Sequence, residues 1–243
     1  MAFAVTAGTS SSGSTTSPLS VSTPASVASG DLLLTVFESA NAYTSITATG
    51  WTLVSAFQQT TPAQTNLTVM GRVSDGSEGA SQSFTYTGTL NHWSGRMFRI
   101  TGHGVSSIGS DITVGTAVGG TATPVSGITS ITPPDNSLLM LFATSGRDAI
   151  STTEWSTWAT ANLSSGNWTE VADNYVNTGN GGGFGVAHSG NNYTTGAAGA
   201  GSATLATSLE WAAVLIGVKP PSAAVAPTFA MAGKALYPNL TAI

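Results

Sequence analysis

The sequence predicts an all-β fold: an antiparallel two-sheet sandwich of jelly-roll or lectin-like type with internal duplication. Three observations predict it. Short apolar runs recur at roughly ten-residue spacing, with Gly, Pro, Asn, Asp or Ser between them. No stretch places apolar residues at i, i+3, i+4 and i+7 between helix caps. The two halves also repeat each other. GWTLV at 50–54, NLTVM at 66–70 and HWSGRMFRI at 92–100 are answered by NWTEV at 167–171, GFGVA at 183–187 and EWAAVLIGV at 210–218. The offsets are 117 from Trp51 to Trp168, 117 from Leu67 to Phe184 and 118 from Trp93 to Trp211. Pairing Leu33 with Leu138 gives 105 for the preceding strand, which places an insertion in the second copy around 152–165. A near-constant offset marks a duplicated β unit and points to a scaffold more than to an active site.

The strands follow in chain order. The first half supplies 31–37, 51–57, 66–73, 81–86 and 93–100, and the second 137–143, 168–174, 183–188, 203–207 and 210–219. Each is short, rich in β-branched, aromatic or aliphatic residues, and bounded by turn formers. Leu32-Leu33-Leu34 and Val214-Leu215-Ile216 are apolar at consecutive positions, so both faces of these strands are expected to be buried and the strands central. The run 81–86 is mostly polar and reads as an edge or half-exposed strand. Repeat halves of about 1–105 and 106–220 are joined without a Pro-rich linker. One sandwich with a pseudo-twofold is therefore preferred over two tandem sandwiches, with Trp51, Trp93, Trp168 and Trp211 in a single core. Pro220-Pro221 ends the last strand. The extension 221–243 carries Phe229, Met231, Leu236, Tyr237 and Ile243, apolar anchors expected to serve as an assembly arm.

Composition narrows the function. The chain has 243 residues, 7% of them charged and 41% hydrophobic. The usual charged fraction is about 25%. Ser, Thr, Gly and Ala thus replace charge at the surface. A net charge of -5 with six Lys and Arg excludes a nucleic-acid surface. The absence of cysteine excludes disulfides, thiolate metal sites and cysteine nucleophiles. The first residues lack the basic and apolar regions of a signal peptide. No apolar run reaches the ~18 residues of a membrane helix, so no membrane insertion is expected. A Lys-poor, Ser/Thr-rich β chain suits work outside cells, yet nothing exports it. A virion protein, made in the host cytoplasm and released by lysis, resolves that conflict. A bacterial surface protein exported without a signal is the rival.

Candidate chemistry is sparse. Asp75 and Glu78 lie in SDGSE, the most concentrated acidic loop, and are the candidate Ca²⁺ ligands, although Asp-Gly is also ordinary turn chemistry. His92, His103 and His188 show no metal-ligand spacing. The run 179–185 is glycine-rich without the Gly-Lys-Ser/Thr of a phosphate cradle and reads as a flexible hairpin loop. No G-x-S-x-G occurs. Glu154, Glu170, Asp173 and Glu210 are the carboxylates from which a glycosidase pair would be drawn. Trp155 and Trp158 fall in the insertion. With Tyr193 they are the aromatics offered for sugar stacking or a subunit interface; closing one end of the core is the structural alternative. No catalytic residue, metal or cofactor is expected.

With ASGDLLL at 28–34, GWTLV at 50–54 and GRVSDGSE at 71–78, the chain resembles a group of tailed-bacteriophage structural proteins that pair a GDLLL strand with a GWTL strand and an R-V-x-x-G-S-E turn. The resemblance covers about 5–221 and leaves the tail aside. It implies a β-sandwich on the outside of a virion, as capsid decoration or as a tail or fibre component. The implied partners are other virion proteins and further copies of the chain, a trimer being favoured. The different-class alternative is a carbohydrate-binding, lectin-like module for a host surface glycan. A polysaccharide-degrading enzyme is the third.

Overall fold

The computed structural model describes residues 2–13, 17–40, 43–60, 64–146, 154–176 and 181–222. The first half forms β1 (Ala4–Ala7), β2 (Ser11–Gly13), β3 (Leu19–Ser22), β4 (Leu32–Ser39), β5 (Tyr43–Thr47), β6 (Thr52–Gln59), β7 (Thr65–Val73), β8 (Ser81–Gly88) and β9 (Trp93–Thr101). A single helical turn, α1 (Ile108–Asp111), leads into the second half. There follow β10 (Ile112–Val114), β11 (Val118–Gly120), β12 (Val125–Ile128), β13 (Leu138–Gly146), β14 (Trp155–Thr160), β15 (Thr169–Val176), β16 (Gly182–His188), β17 (Gly201–Leu205) and β18 (Trp211–Val218). The anchors Phe229, Met231, Leu236, Tyr237 and Ile243 lie outside the described residues.

Each half builds the same pair of antiparallel sheets. The first has a main sheet ordered β1-β9-β4-β7-β6, with β2 also on β9, and a small sheet β3-β8-β5. The second has β10-β18-β13-β16-β15, with β11 on β18, and β12-β17-β14. Strand for strand the topology is identical. The fold is thus all-β, sandwiched and duplicated.

The layering differs from the single sandwich expected from the sequence. The two main sheets pack face to face, and a small sheet covers the outer face of each. Between the main sheets lies a shared core that includes Leu34, Val36, Phe98, Met140, Phe142 and Ile216. Under the first small sheet lies a second core with Leu33, Phe37, Met70, Phe84, Trp51 and Trp93. Under the other lies a third with Leu139, Leu141, Trp155, Trp158 and Trp211, against which Trp168 packs. The four repeat tryptophans therefore divide between two cores instead of sharing one. The reason is legible in β4 and β13, every residue of which is buried: a strand apolar on both faces needs a layer on each side. Contacts between the main sheets are reciprocal. β13 crosses β7 as β16 crosses β4, and β10 meets β6 as β1 meets β15, the pattern of a pseudo-twofold.

Register corrects one offset. Leu32 pairs with Ile100 and Leu138 with Val218, the equivalent residues of β9 and β18, so β4 maps onto β13 with an offset of 106, not 105. Side chains alternate across a sheet, so the one-residue difference decides which core each enters. Leu32, Leu34 and Val36 match Leu138, Met140 and Phe142 in the shared core. Smaller features repeat too. β6 and β15 carry equivalent bulges at Val54 and Val171. Gly13 lies against the Trp93 indole and Gly120 against that of Trp211, where a Cβ would come within 2.7 and 2.8 Å of the rings.

The insertion is also not where the sequence places it. β14 is the counterpart of β5, and the extra residues fall on both sides of it. Residues 147–154 stand against 40–42, and 161–168, containing a short 3-10 turn at Ser165–Asn167, stand against 48–51. β8, expected to be an edge or half-exposed strand, is half-exposed but sits at the centre of its small sheet. Its polar residues face solvent while Phe84 and Tyr86 face the core.

Phe98 and Phe142 meet edge to face across the main sheets, with ring centroids 6.1 Å apart. Phe142→Ala is expected to destabilise the protein by about 3–5 kcal/mol. Because the shared core joins the halves, the variant should still melt in one transition. A calorimetric scan showing one half unfolding at the wild-type temperature would contradict a joint core.

Candidate functional site

Three clusters hold the titratable residues that could carry chemistry. The first lies at one end of the shared core. Glu38, the one charged residue of β4, points into the space between the main sheets and is fully buried. Its Oε2 lies 2.8 Å from His92 Nε2 and accepts a hydrogen bond from Ser94 Oγ at 3.4 Å. Burial raises the Glu38 pKa, and the His92 partnership opposes that shift. The neighbouring Thr65 hydroxyl donates to Thr144 Oγ1 of the other half at 3.2 Å. Gly182 leaves room for Glu38: a Cβ there would lie 2.6 Å from Oε1. Such a pair, closed off from solvent, locks the end of the inter-sheet packing.

The second cluster surrounds β14 and β15, at the rim of the second sandwich. Asp173 Oδ2 accepts the Trp155 backbone N–H at 3.0 Å, and Glu170 Oε2 accepts the Trp158 indole N–H at 2.6 Å. Burial raises the Asp173 pKa to about 7, with Glu170 and Glu154 adding like charge. Of the four carboxylates singled out from the sequence, Glu154, Glu170 and Asp173 do converge. Glu210 precedes β18 beside Gly146, at the place equivalent to His92.

The aromatics offered for a sugar or a subunit face inward, in line with the alternative reading that they close the core. Trp155 is 2% exposed and Trp158 4%, and their rings stack on each other at 5.6 Å within the second-half core. Both belong to a strand, not an insertion loop. Tyr193 is buried as well, and its hydroxyl donates to the carbonyls of Pro133 and Gly196. Glycine supplies the space: a Cβ on Gly185 would come within 2.5 Å of Trp155 Cγ. The expected flexible loop at 179–185 is thus a buried strand from Gly182 onward, residues 177–180 lying outside the described residues. Gly185 in this strand leaves the room that Trp155 and Trp158 occupy.

The third cluster is the SDGSE loop. Arg72, at the end of β7, pairs with Asp75 at 2.7 Å and with Glu78 at 3.3 Å. Asp75 also accepts hydrogen bonds from the Ser77 hydroxyl and backbone, which lower its pKa. Both candidate calcium ligands are therefore engaged in holding a turn, which gives the Arg of the R-V-x-x-G-S-E pattern its structural role. Among the described residues no group of three His, Asp or Glu is placed to hold a metal ion. His103 and His188 each accept a backbone N–H two residues on, as turn residues do.

Comparison of the chain with family models, curated proteins and solved structures finds no match. Among the described residues no helix is long and apolar enough to cross a membrane.

The Glu38–His92 contact was not foreseen from the sequence. The available signal was a single charge at the end of a buried apolar run; its partner, 54 residues away, carried none.

Two outcomes follow. Gly182→Ala should cost about 1–3 kcal/mol in a denaturant titration, because the new methyl meets Glu38 and the Ser145 carbonyl. Asp173 folded releases its proton near pH 7, against an ordinary value of 3.8. The native state therefore binds more protons between these limits, and its stability falls as pH rises through that window. Asp173→Asn, which keeps an acceptor for the Trp155 N–H, should raise Tm by about 2–4 °C near pH 8, screening included, and leave it unchanged near pH 4. Equal shifts at both pH values would contradict the assignment.

Proposed function

We propose that the chain is a non-enzymatic structural protein of a tailed-bacteriophage virion, carried on the particle exterior as capsid decoration or as a tail- or fibre-associated component. The observation that supports this most is where the reactive groups go. Glu38 holds His92, Arg72 holds Asp75 and Glu78, Arg99 holds Asp31 at 2.6 Å, and Lys219 holds Asp111 at 2.8 Å. These groups serve a rigid, doubled sandwich and not a cleft. The low-charge Ser/Thr surface and the GDLLL, GWTL and RVxxGSE segments favour the same reading. Partners would be other virion proteins and further copies of the chain, a trimer being favoured, with 222–243 as the contacting arm. Glycan recognition through Trp155, Trp158 and Tyr193 loses support, because all three are buried.

Deleting 222–243 provides the test. Each apolar anchor laid on a neighbour would contribute about 1.5–3 kcal/mol before ordering costs. The truncated protein should keep the circular dichroism and Tm of the full chain while its incorporation into particles, or its oligomerisation, falls by more than about tenfold. Normal incorporation would make the arm dispensable. Absence of the full chain from purified virions by mass spectrometry would sink the virion reading itself.

A further inference from the structure

We propose that the groove beside Arg96 binds the carboxylate of an acidic sugar. The argument starts from charge pairing. The described basic residues are Arg72, Arg96, Arg99 and Lys219. Three of them have carboxylate partners; Arg96 has none among the described residues. Its Nε donates to the Gly8 carbonyl at 2.6 Å, which fixes the guanidinium plane and leaves both Nη groups to donate elsewhere. Half-burial strips water from this cation, and no charged neighbour among the described residues compensates it. A desolvated guanidinium with a free fork is suited to a two-oxygen anion.

The duplication supplies an internal control. β9 maps onto β18 with an offset of 118, so the counterpart of Arg96 is Val214, which is fully buried in the shared core. The backbone frame is common to both. Gly8 N–H donates to the Met97 carbonyl as Gly115 N–H does to that of Leu215. The fold thus accepts an apolar residue at this place, and packing gives no reason for the arginine in the first half.

The surroundings define the ligand. β1 and β2 leave a gap along β9, and there a groove of about 650 Å³ opens, lined by Thr9, Ser10, Thr23, Pro24, Ala25 and Arg96. The Thr23 Oγ1 is buried and has no hydrogen-bond partner among the described residues. That volume is much larger than a bare inorganic ion. One cation matches one negative charge, and a chain of net charge -5 disfavours polyanions. The remaining lining offers hydroxyls and backbone groups for a neutral polyhydroxylated body, and Pro24 and Ala25 for its apolar face. A sugar carrying a single carboxylate combines all three. This inference is independent of the virion reading and of the buried tryptophans.

The test is a titration of the isotopically labelled full-length chain, followed by amide NMR shifts. The probes are sodium glucuronate, N-acetylneuraminate, acetate, sulfate and methyl glucoside. Expected are saturable shifts at Thr9, Ser10 and Ala25 with a sugar acid at low-millimolar concentration, about tenfold weaker binding of acetate and sulfate, and none of methyl glucoside. Arg96→Val should abolish the shifts while the rest of the spectrum is unchanged. Should that variant not fold, Arg96→Lys keeps the charge, loses the fork and should bind about tenfold more weakly. The proposal is overturned by no saturable shift with either sugar acid, by sulfate or acetate binding as tightly, by equal binding of methyl glucoside, or by unaltered binding to the variant.

Discussion

The face-to-face packing of the two main sheets is the constraint on which the rest depends. An antiparallel sheet usually buries one face and wets the other. Here the central strands of the main sheets have no wet face, and exposed residues are confined mainly to edge strands such as β1, β6 and β15. β4 and β13 are buried along their whole length, and the residues that alternate along them feed two different cores. A half isolated from its partner would expose Leu32, Leu34, Val36, Leu67, Val69, Phe98 and Ile100 as one contiguous apolar surface. The duplication and the shared core are therefore one feature. The chain is built as a two-fold pair of sandwiches would be, with both copies on a single polypeptide.

Once the interface is fixed, the polar groups inside it acquire meaning. Glu38 and His92 close one end of a mainly apolar seam, and they exist in only one copy: the equivalent residues are Thr144 and Glu210. The seam is thus asymmetric in detail where it is symmetric in outline. A one-residue slip of β4 would drive Glu38 into the first sandwich's own core, away from His92, so the pair opposes that misregister. At the outer edges β6 and β15 both carry a bulge, which twists an edge strand away from further pairing. The sandwich is in this way discouraged from growing by strand addition, which leaves association to other surfaces.

The ends of the halves are tied with equal economy. Lys219, just past the last strand, reaches Asp111 in α1, and Asp111 also accepts N–H groups of Ser106 and Ser107. The Lys219 ammonium and these donors lower the Asp111 pKa. The joint between the repeats and the point where the C-terminal extension departs are thereby fastened together.

The sequence by itself determined the strands with strong patterns and the fact of duplication. All ten expected strands are present, because burial on one or both faces writes a period-two or continuous apolar signal into the residues. It could not determine β1, β2, β3, β5, β10, β11, β12 and β14. Most of these are three to five residues long, and several are rich in Ser, Thr or Gly; they become strands by pairing with a neighbour, not by their own composition. Nor could it determine register. A difference between offsets of 105 and 106 is invisible in runs such as LLLTVF and LLMLF, yet it decides which core each side chain enters. The site residues divide the same way. The SDGSE turn was legible from its Asp-Gly, whereas the pairing of Arg72 with Asp75 was not. The inward facing of Trp155 and Trp158, the meeting of Glu38 with His92 and the lack of a carboxylate partner for Arg96 among the described residues depend on strands far apart in the chain. Only the tertiary structure sets those distances, because burial and pairing are properties of neighbours in space.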